Sequence, residues 1–452
     1  MFWLTVLLPL LTSLLSFSTV EGKPRRLSAD AACQQLLASL GSDVVSLPST
    51  AAYQQGQDGA WNNFNRQQHP SCIIYARNSS DVSTAIISIG RNDLNYQVRS
   101  GGHSAMTGWN NVDGGILISL QNLNTTRYDP ASTYATVEAG VRWRDVYNQL
   151  APFNVTVVGG RQGDVGTGFL LGGGLSFLSP RAGYGADNIV EAEVVLTSGA
   201  VVTASATQNA DLLRALRGSV NRMGIVTRYT LRTVEVGATT EKRFFGGAIT
   251  PLTAALGVNG SDPLVTLLAA FEKFTANLND PKAYALAVIG QQNTLAPVKF
   301  ASILVLYEGS ELPRSVFGPL LDAPGVIVTA QPMSWLDATH LYPDGTSDGS
   351  GWHYGAAALY PRGDGGDNFR SMYAAWNLYN QQTFSYQQTS YLAFTPIPKT
   401  HIQALYQAPG GPGVIRPPLK NFAAVQISGN FNAATSTTPP AFLQQFQQLT
   451  SK

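Results

Sequence analysis

Two glycine-rich turns, Arg99-Ser-Gly-Gly-His-Ser104 and Gly163-Asp-Val-Gly-Thr-Gly168, the second running on to Gly172–Gly174, constrain this chain more than any other feature. Glycine has no Cβ to hold a ligand away and reaches positive φ freely, so each turn can bring main-chain N–H groups up to a pyrophosphate. The pair points to a phosphorylated cofactor. His103 is the one side chain of the first turn with nucleophilic chemistry. A nicotinamide Rossmann site needs Gly-x-Gly-x-x-Gly between a strand and a helix, with an acidic residue ending the next strand. Neither turn fits: the first has adjacent glycines, and the second leads into Leu171-Gly-Gly-Gly174, a poor helix former. Gly-Lys-Ser/Thr is absent too, which removes the nucleotide triphosphatase class.

The 452 residues, 44% of them hydrophobic, suffice for two domains with separate cores. Lysine and arginine total 29 against 28 acids, and no basic stripe occurs, which argues against nucleic-acid or anionic-membrane partners. A small, neutral or weakly polar substrate fits that balance, and no metal is expected. The uncharged apolar run at 2–15 is too short for a comfortable membrane span, and Val20 and Gly22 follow at cleavage-like positions. Residues 1–22 therefore read as a signal peptide; a buried N-terminal helix is the alternative, because no Lys or Arg precedes the run. The expected location is outside the cell or in a secretory vesicle, with no membrane anchor after cleavage.

Cys33 and Cys72 are the only cysteines, and an even count in a secreted chain favours a disulfide over two buried thiols. That bridge would close a loop of about 40 residues and contribute roughly 3–4 kcal/mol. Sequons at Asn78, Asn124, Asn154 and Asn259 agree with secretion.

Along the chain, Cys72–Tyr75, Tyr96–Arg99, Ile116–Ser119, Ala135–Glu138 and Val155–Val158 read as strands. Ser79 or Ser80 is expected to cap a helix through Ile87, and Val141–Leu150 to form a short helix. Ile189–Leu196 and Val201–Ala204 flank Ser198-Gly199 as a hairpin. Asn209 is expected to cap a helix over Asp211–Leu216, ahead of a last strand from Gly224 to Leu231. Beyond Lys242, strands near 244–248, 284–289, 301–306, 392–394 and 423–427 alternate with helices around 251–256, 264–278 and 368–380. That pattern suggests a second sheet with helices on one face, and loops at 343–351, 362–367 and 408–418.

Val98–Ser104, Asp113-Gly-Gly-Ile116, Val137-Glu-Ala-Gly140, Gly163–Gly174, Ser179-Pro-Arg181, Asp187-Asn-Ile-Val190, Leu216-Arg-Gly218 and Gly224-Ile-Val-Thr227 follow in order over residues 65–235. This series resembles the FAD-linked oxidases of the berberine bridge enzyme type, within the vanillyl-alcohol oxidase fold. The resemblance implies an α+β chain: a two-part PCMH-type FAD-binding domain over 23–235 and an α/β substrate domain with an antiparallel sheet over 236–452. It implies FAD, attached through a ring nitrogen of His103 to the flavin 8α carbon. Such a link raises the reduction potential and favours taking electrons from a reluctant substrate. Arg99, Ser100, Gly101, Gly102, Ser104, Gly166, Thr167 and Gly168 would hold the pyrophosphate and the flavin rim. Gly173 would pack beside the ring; Asp187, Ile189 and Val190 would pass the adenine half, and Gly224, Ile225 and Val226 would close that side. Many relatives carry a second link from a cysteine where this chain has Gln162, so a single covalent link is expected.

Flavin oxidation of an alcohol or amine needs a donor carbon over N5 and often a base for the accompanying proton. Tyr391 and His353 are the candidates, with Tyr354 and Tyr386 as further titratable groups among aromatics. The strand at 422–430 resembles one that carries a base in some relatives, but it contains no carboxylate here. The covering segment with which relatives usually finish has no counterpart before Lys452, where an amphipathic stretch at 442–449 is expected to be helical. The implied activity is oxidation of a small organic substrate, by preference a secondary-metabolite intermediate, with O2 as acceptor. The alternatives are a carbohydrate oxidase, a non-redox cyclase or isomerase that keeps the flavin pocket, and a non-catalytic binding scaffold.

Overall fold

The structure is a computed structural model that describes residues 26–252, 263–293, 297–345, 350–362, 368–385, 387–431 and 444. The expected leader at 1–22, Asn259, Tyr386 and most of the stretch 442–449 lie outside the described residues.

Three sheets make up the described fold. The apolar runs Cys72–Tyr75 and Ile116–Ser119 are buried along their whole length, as expected of strands covered on both faces. They pair in parallel, Cys72 opposite Ile116, and Tyr96–Arg99 joins in parallel on the other side of Ile116–Ser119. Val45–Ser46 adds an antiparallel edge. The crossover into Tyr96–Arg99 is the helix Ser79–Asn92. Its cap is Asn78 and not either serine: Asn78 is extended at φ −162°, and its side chain accepts from the Asp81 N–H at 3.0 Å.

The second sheet runs Thr126–Asp129, Tyr134–Glu138, Ile225–Glu235, Ile189–Val195, Val201–Ser205, all antiparallel, with Val155–Val157 paired to the far end of Ile225–Glu235. The hairpin at Ser198-Gly199 is present, Val195 pairing with Val201. Asn209 does stand at the head of the helix Ala210–Leu216, but in a left-handed conformation, φ 50°. There its amide donates to the Thr203 carbonyl at 2.7 Å and ties the helix to the strand before it, so no side-chain cap forms.

The third sheet is antiparallel, in the order Val326–Val328, Phe244–Pro251, Pro297–Tyr307, Ala283–Asn293, Thr389–Ile397, Phe422–Phe431, Gly351–Leu359, with Gln331–Met333 also beside Phe244–Pro251. Strand alternation divides its residues. Ala285, Ala287, Ile289, Leu392, Val425 and Ile427 pack with the helices Pro263–Asn277, Arg314–Leu321 and Asn368–Thr383 in one core. Tyr284, Leu286 and Leu306 face the other way and join the core of the first two sheets. The strand Phe244–Pro251 continues to Pro251, where a helix was expected. Gly351–Leu359 was not expected as a strand; its glycines and alanines have little β-propensity, and it forms because Phe422–Phe431 pairs with it from end to end.

Cys33 and Cys72 are joined in a disulfide that ties the helix Ala29–Leu40 to the central strand of the first sheet. The helix Lys399–Leu405 docks the third sheet onto the segment Ser179–Ala182 through His401, which is 1% exposed with its ring 4.3 Å from that of Tyr184. Burial pushes the His401 imidazole down to about 3. An unfolded histidine takes its proton near 6.5. Unfolding between those values takes up a proton, so this contribution is present above about pH 6.5 and is lost as pH falls toward 3. Urea midpoints between pH 7 and 4 should therefore decline less steeply for His401→Phe than for the unchanged protein.

Candidate functional site

Both glycine turns leave strand ends at one edge of the first two sheets, and they meet. A methyl group on Gly101 would lie 2.5 Å from the Gly166 nitrogen, and one on Gly166 would lie 2.3 Å from the Gly101 nitrogen. No side chain fits between these two main chains. Hydroxyls stitch the contact: Ser100 Oγ donates to the Ala139 carbonyl at 2.6 Å and accepts from the Thr167 N–H at 3.0 Å. Thr167 Oγ1 donates to the same carbonyl at 2.7 Å, and Arg142 donates to the Gly101 carbonyl at 3.3 Å.

The turns form one wall of a cleft of about 590 Å³. Ser100, Gly101, Gly102, His103, Ser104, Gly166, Thr167, Gly168, Gly224, Ile225 and Val226 line it, as do Trp109, Asn110, Phe169, Val220 and Arg222. A methyl group on Gly168 would meet nothing within 4 Å, so that Cα faces the open cleft. Val220 holds φ 59°, a left-handed conformation that a β-branched residue rarely adopts, on the cleft wall; its N–H donates to the Leu171 carbonyl at 2.9 Å.

Five residues expected at this site point elsewhere. Arg99 runs beneath the first turn, donating to the carbonyls of Gly56 and Asn110, and burial pushes its guanidinium down to about 10. It braces the turn from behind. Gly173 follows the short helix Gly168–Leu171 at φ 100° and faces Ile415, while its carbonyl accepts from Ala186 at 2.9 Å. The Asp187 carboxylate accepts from the Tyr184 N–H at 3.0 Å. Burial pushes its carboxyl up to about 6, against that hydrogen bond and the charges of Arg217 and Arg232. Ile189 is sheet core, and with Val190 it starts the strand whose other end approaches the cleft at Thr197.

His103 sits at one end of the cleft with its ring stacked on Trp61, centroids 4.8 Å apart and planes 13° apart. Its Nε2 is buried 3.5 Å from an Asp164 carboxylate oxygen. Burial alone would raise the Asp164 carboxyl, but His103 and the Gly345 and Asp164 backbone N–H groups outweigh it and hold it below the usual range. The His103 Nδ1 has no partner among the described residues and borders open space. A methyl group on Gly345 would lie 3.1 Å from Gln162 Nε2, 3.2 Å from His103 Nε2 and 3.3 Å from Trp61 Nε1, so this glycine seals the Asp164 side. The adjoining Asp344 pairs with Arg144 and accepts from the Gly163 N–H at 2.7 Å.

From Trp61 an aromatic wall continues onto the third sheet: Trp352 at 5.4 Å, Tyr354 at 6.1 Å, and Tyr391 stacked on Trp352 at 6.0 Å. Burial, with Tyr342 and Tyr391 nearby, pushes the Tyr354 phenol far above its ordinary range, so it stays protonated. Asn62 pins the wall to the first turn, donating to the carbonyls of Ala105 at 2.6 Å and Trp352 at 3.0 Å. His353 alternates onto the opposite, helix-covered face beside Phe64, where burial pushes its imidazole down to about 4. Of the two candidates, only Tyr391 shares a face with Trp352 and Tyr354. Trp61, Asn62, Asp164 and Gly345 escaped the sequence reading because each lies far along the chain from the partner that gives it meaning.

The cleft suits a dinucleotide: paired backbone turns and the His103 ring share its lining, and Gly168 leaves room where a side chain would intrude. Comparison with known proteins agrees. Residues 70–205 match the FAD binding domain family. An uncharacterised FAD-linked oxidoreductase of Arthroderma benhamiae is 29% identical over 89% of this chain and 78% of its own. An FAD-dependent monooxygenase of Arthrobotrys oligospora is 35% identical over 57% of this chain and 47% of its own. The chain thus spans about half the length of that relative and of similar fungal monooxygenases. Among solved structures, a carbohydrate oxidase from Microdochium nivale superposes with a TM-score of 0.73 at 19% identity, covering 93% of this chain and 87% of its own. Berberine bridge enzyme superposes with a TM-score of 0.71 at 19% identity, covering 94% and 84%. Both share the fold.

Two glycine substitutions separate folding from binding. Gly168→Ala, in open space, should leave the melting temperature nearly unchanged while lowering FAD content, read as absorbance at 450 nm against 280 nm. Gly166→Ala, which collides with main chain, should lose both FAD and stability, the latter by about 2–4 kcal/mol.

Proposed function

We propose that this chain, which carries an FAD binding domain over residues 70–205, is an FAD-dependent enzyme that oxidises a small organic substrate on a flavin tethered through His103. The observation that carries the tether is the state of the His103 ring. Nε2 is buried 3.5 Å from an Asp164 carboxylate oxygen, and His103 lines the cleft. With Asp164 beside Nε2, Nδ1 is the nitrogen left to bond carbon, and the carboxylate would stabilise the cationic ring that results. Trp61 fixes the ring plane by stacking. No cysteine lies near Gln162, so the link is single.

FAD, once bound, supplies a hydride acceptor at N5 and a route for the electrons to O2. Everything else falls to the chain's own groups. Ser100, Gly101, Gly102, Ser104, Gly166 and Thr167 present main-chain and hydroxyl groups to the pyrophosphate. Trp352, Tyr354 and Tyr391 form a flat apolar surface that orients a planar substrate and excludes water. Tyr354 donates a hydrogen bond and does not act as a base. Tyr391 presents a second hydroxyl on the face shared with Tyr354. The aromatic wall favours a secondary-metabolite intermediate over a sugar. Secretion is part of the same reading, supported by the disulfide and by the exposure of Asn78, Asn124 and Asn154.

Acid-precipitated, denatured protein should keep flavin fluorescence in a gel, and His103→Ala should lose it. A covalent flavin that survives in His103→Ala would overturn the tether; a colourless purified protein would overturn the oxidase.

A further inference from the structure

Arg161 stands where the second glycine turn meets the third sheet. Its Nη1 donates to Tyr284 Oη at 2.8 Å and to Thr395 Oγ1 at 3.2 Å. No carboxylate lies within ion-pair distance of it among the described residues, and its Nε and Nη2 have no acceptor there. Arg161 is partly exposed. The two hydroxyls already accept from Arg161, and neither has an acceptor for its own proton among the described residues. Four donor positions thus converge around one positive charge with nothing negative to receive them. Partly buried cations are ordinarily paired, because desolvation is costly otherwise.

The same stretch of sheet is open. Gln426 is exposed although it belongs to an inner strand, and its amide makes no hydrogen bond among the described residues. It pairs with Ala393, which makes it a diagonal neighbour of Thr395 on the face that also bears Tyr391 and Ser428. Ala356, across from Gln426, is exposed too. Exposed Gln426 and Ala356 thus stand between the aromatic wall and the buried Thr395 and Tyr284 hydroxyls on one face of the sheet.

We infer that Arg161, with the Tyr284 and Thr395 hydroxyls, receives the carboxylate of the substrate, whose flat apolar body lies along Gln426 toward Tyr391 and Trp352. This rests on the oxidase reading and names its substrate class: a planar organic acid. Tyr391 and Thr395 are separated by about 13 Å along one strand, so the acid is of extended, aromatic size and not a two- or three-carbon one. Arginine suits the role because its planar fork matches a carboxylate.

Calorimetric titration of the full purified chain with cinnamate and with cinnamamide tests it, since the two differ in charge and hardly in shape. Cinnamate should bind about ten-fold tighter or better, the effect of one charge-assisted pair. Arg161→Gln should abolish that preference while the 450 nm absorbance stays unchanged; Arg161→Lys should restore part of it. Thr395→Val, which keeps the guanidinium, should weaken cinnamate by a smaller factor and serves if Arg161→Gln does not fold. Equal binding of acid and amide by the unchanged protein overturns the inference. So does an Arg161→Gln variant that loses flavin yet keeps the preference, which would assign Arg161 to the cofactor. The two readings fail separately: a colourless protein that prefers cinnamate refutes the oxidase alone, and a flavin-bearing protein without the preference refutes the acid site alone.

Discussion

The contact between Gly101 and Gly166 is the constraint on which the rest of the site depends. Each would place a Cβ within 2.5 Å of the other's backbone nitrogen, so the turns touch main chain to main chain. One turn follows the strand Tyr96–Arg99 of the first sheet and the other comes after Val155–Val157 of the second, so this contact sets how the two sheets meet. The Ser100 and Thr167 hydroxyls share the Ala139 carbonyl, which satisfies buried groups that would otherwise destabilise so close an approach. Arg99, far from serving the cleft, braces the first turn from beneath.

The third sheet is tied to that contact by few polar links. Asn62 joins the Ala105 carbonyl to Trp352, Asp344 clasps Arg144 and the Gly163 N–H, and Arg161 reaches Tyr284 and Thr395. These links fall along the two glycine turns and the loops beside them. The strands that carry the aromatic wall are therefore registered against the cofactor cradle itself, which lets a substrate on the wall and a flavin in the cleft share one geometry.

Most strands of the first two sheets were legible, because β-branched runs bounded by glycine and polar turns have few other ways to fold. The Ser198-Gly199 hairpin and the run Ile116–Ser119 are examples. Cap residues were less legible: Asn78 outcompeted two serines, and Asn209 spent its amide on Thr203. Family resemblance brought Gly101, Gly166 and His103 to the cleft wall but also suggested Gly173, Asp187, Ile189 and Val190, which the chain carries away from it. A motif records which residues accompany a site, including those that only shape the turns around it.

The sequence by itself determined a phosphorylated-cofactor site between two glycine turns, because those features act over a few residues, and its ordered motifs over 65–235 carry the resemblance that implies a flavin-binding α+β fold. The tertiary structure decided that Asp164 and Trp61 flank the His103 ring, that His353 faces helices while Tyr391 faces the wall, and that among the described residues Arg161 stands among donors without an acid. Those outcomes depend on partners scores to hundreds of residues distant in the chain. Such partners meet only through sheet register and domain docking, which no local pattern encodes.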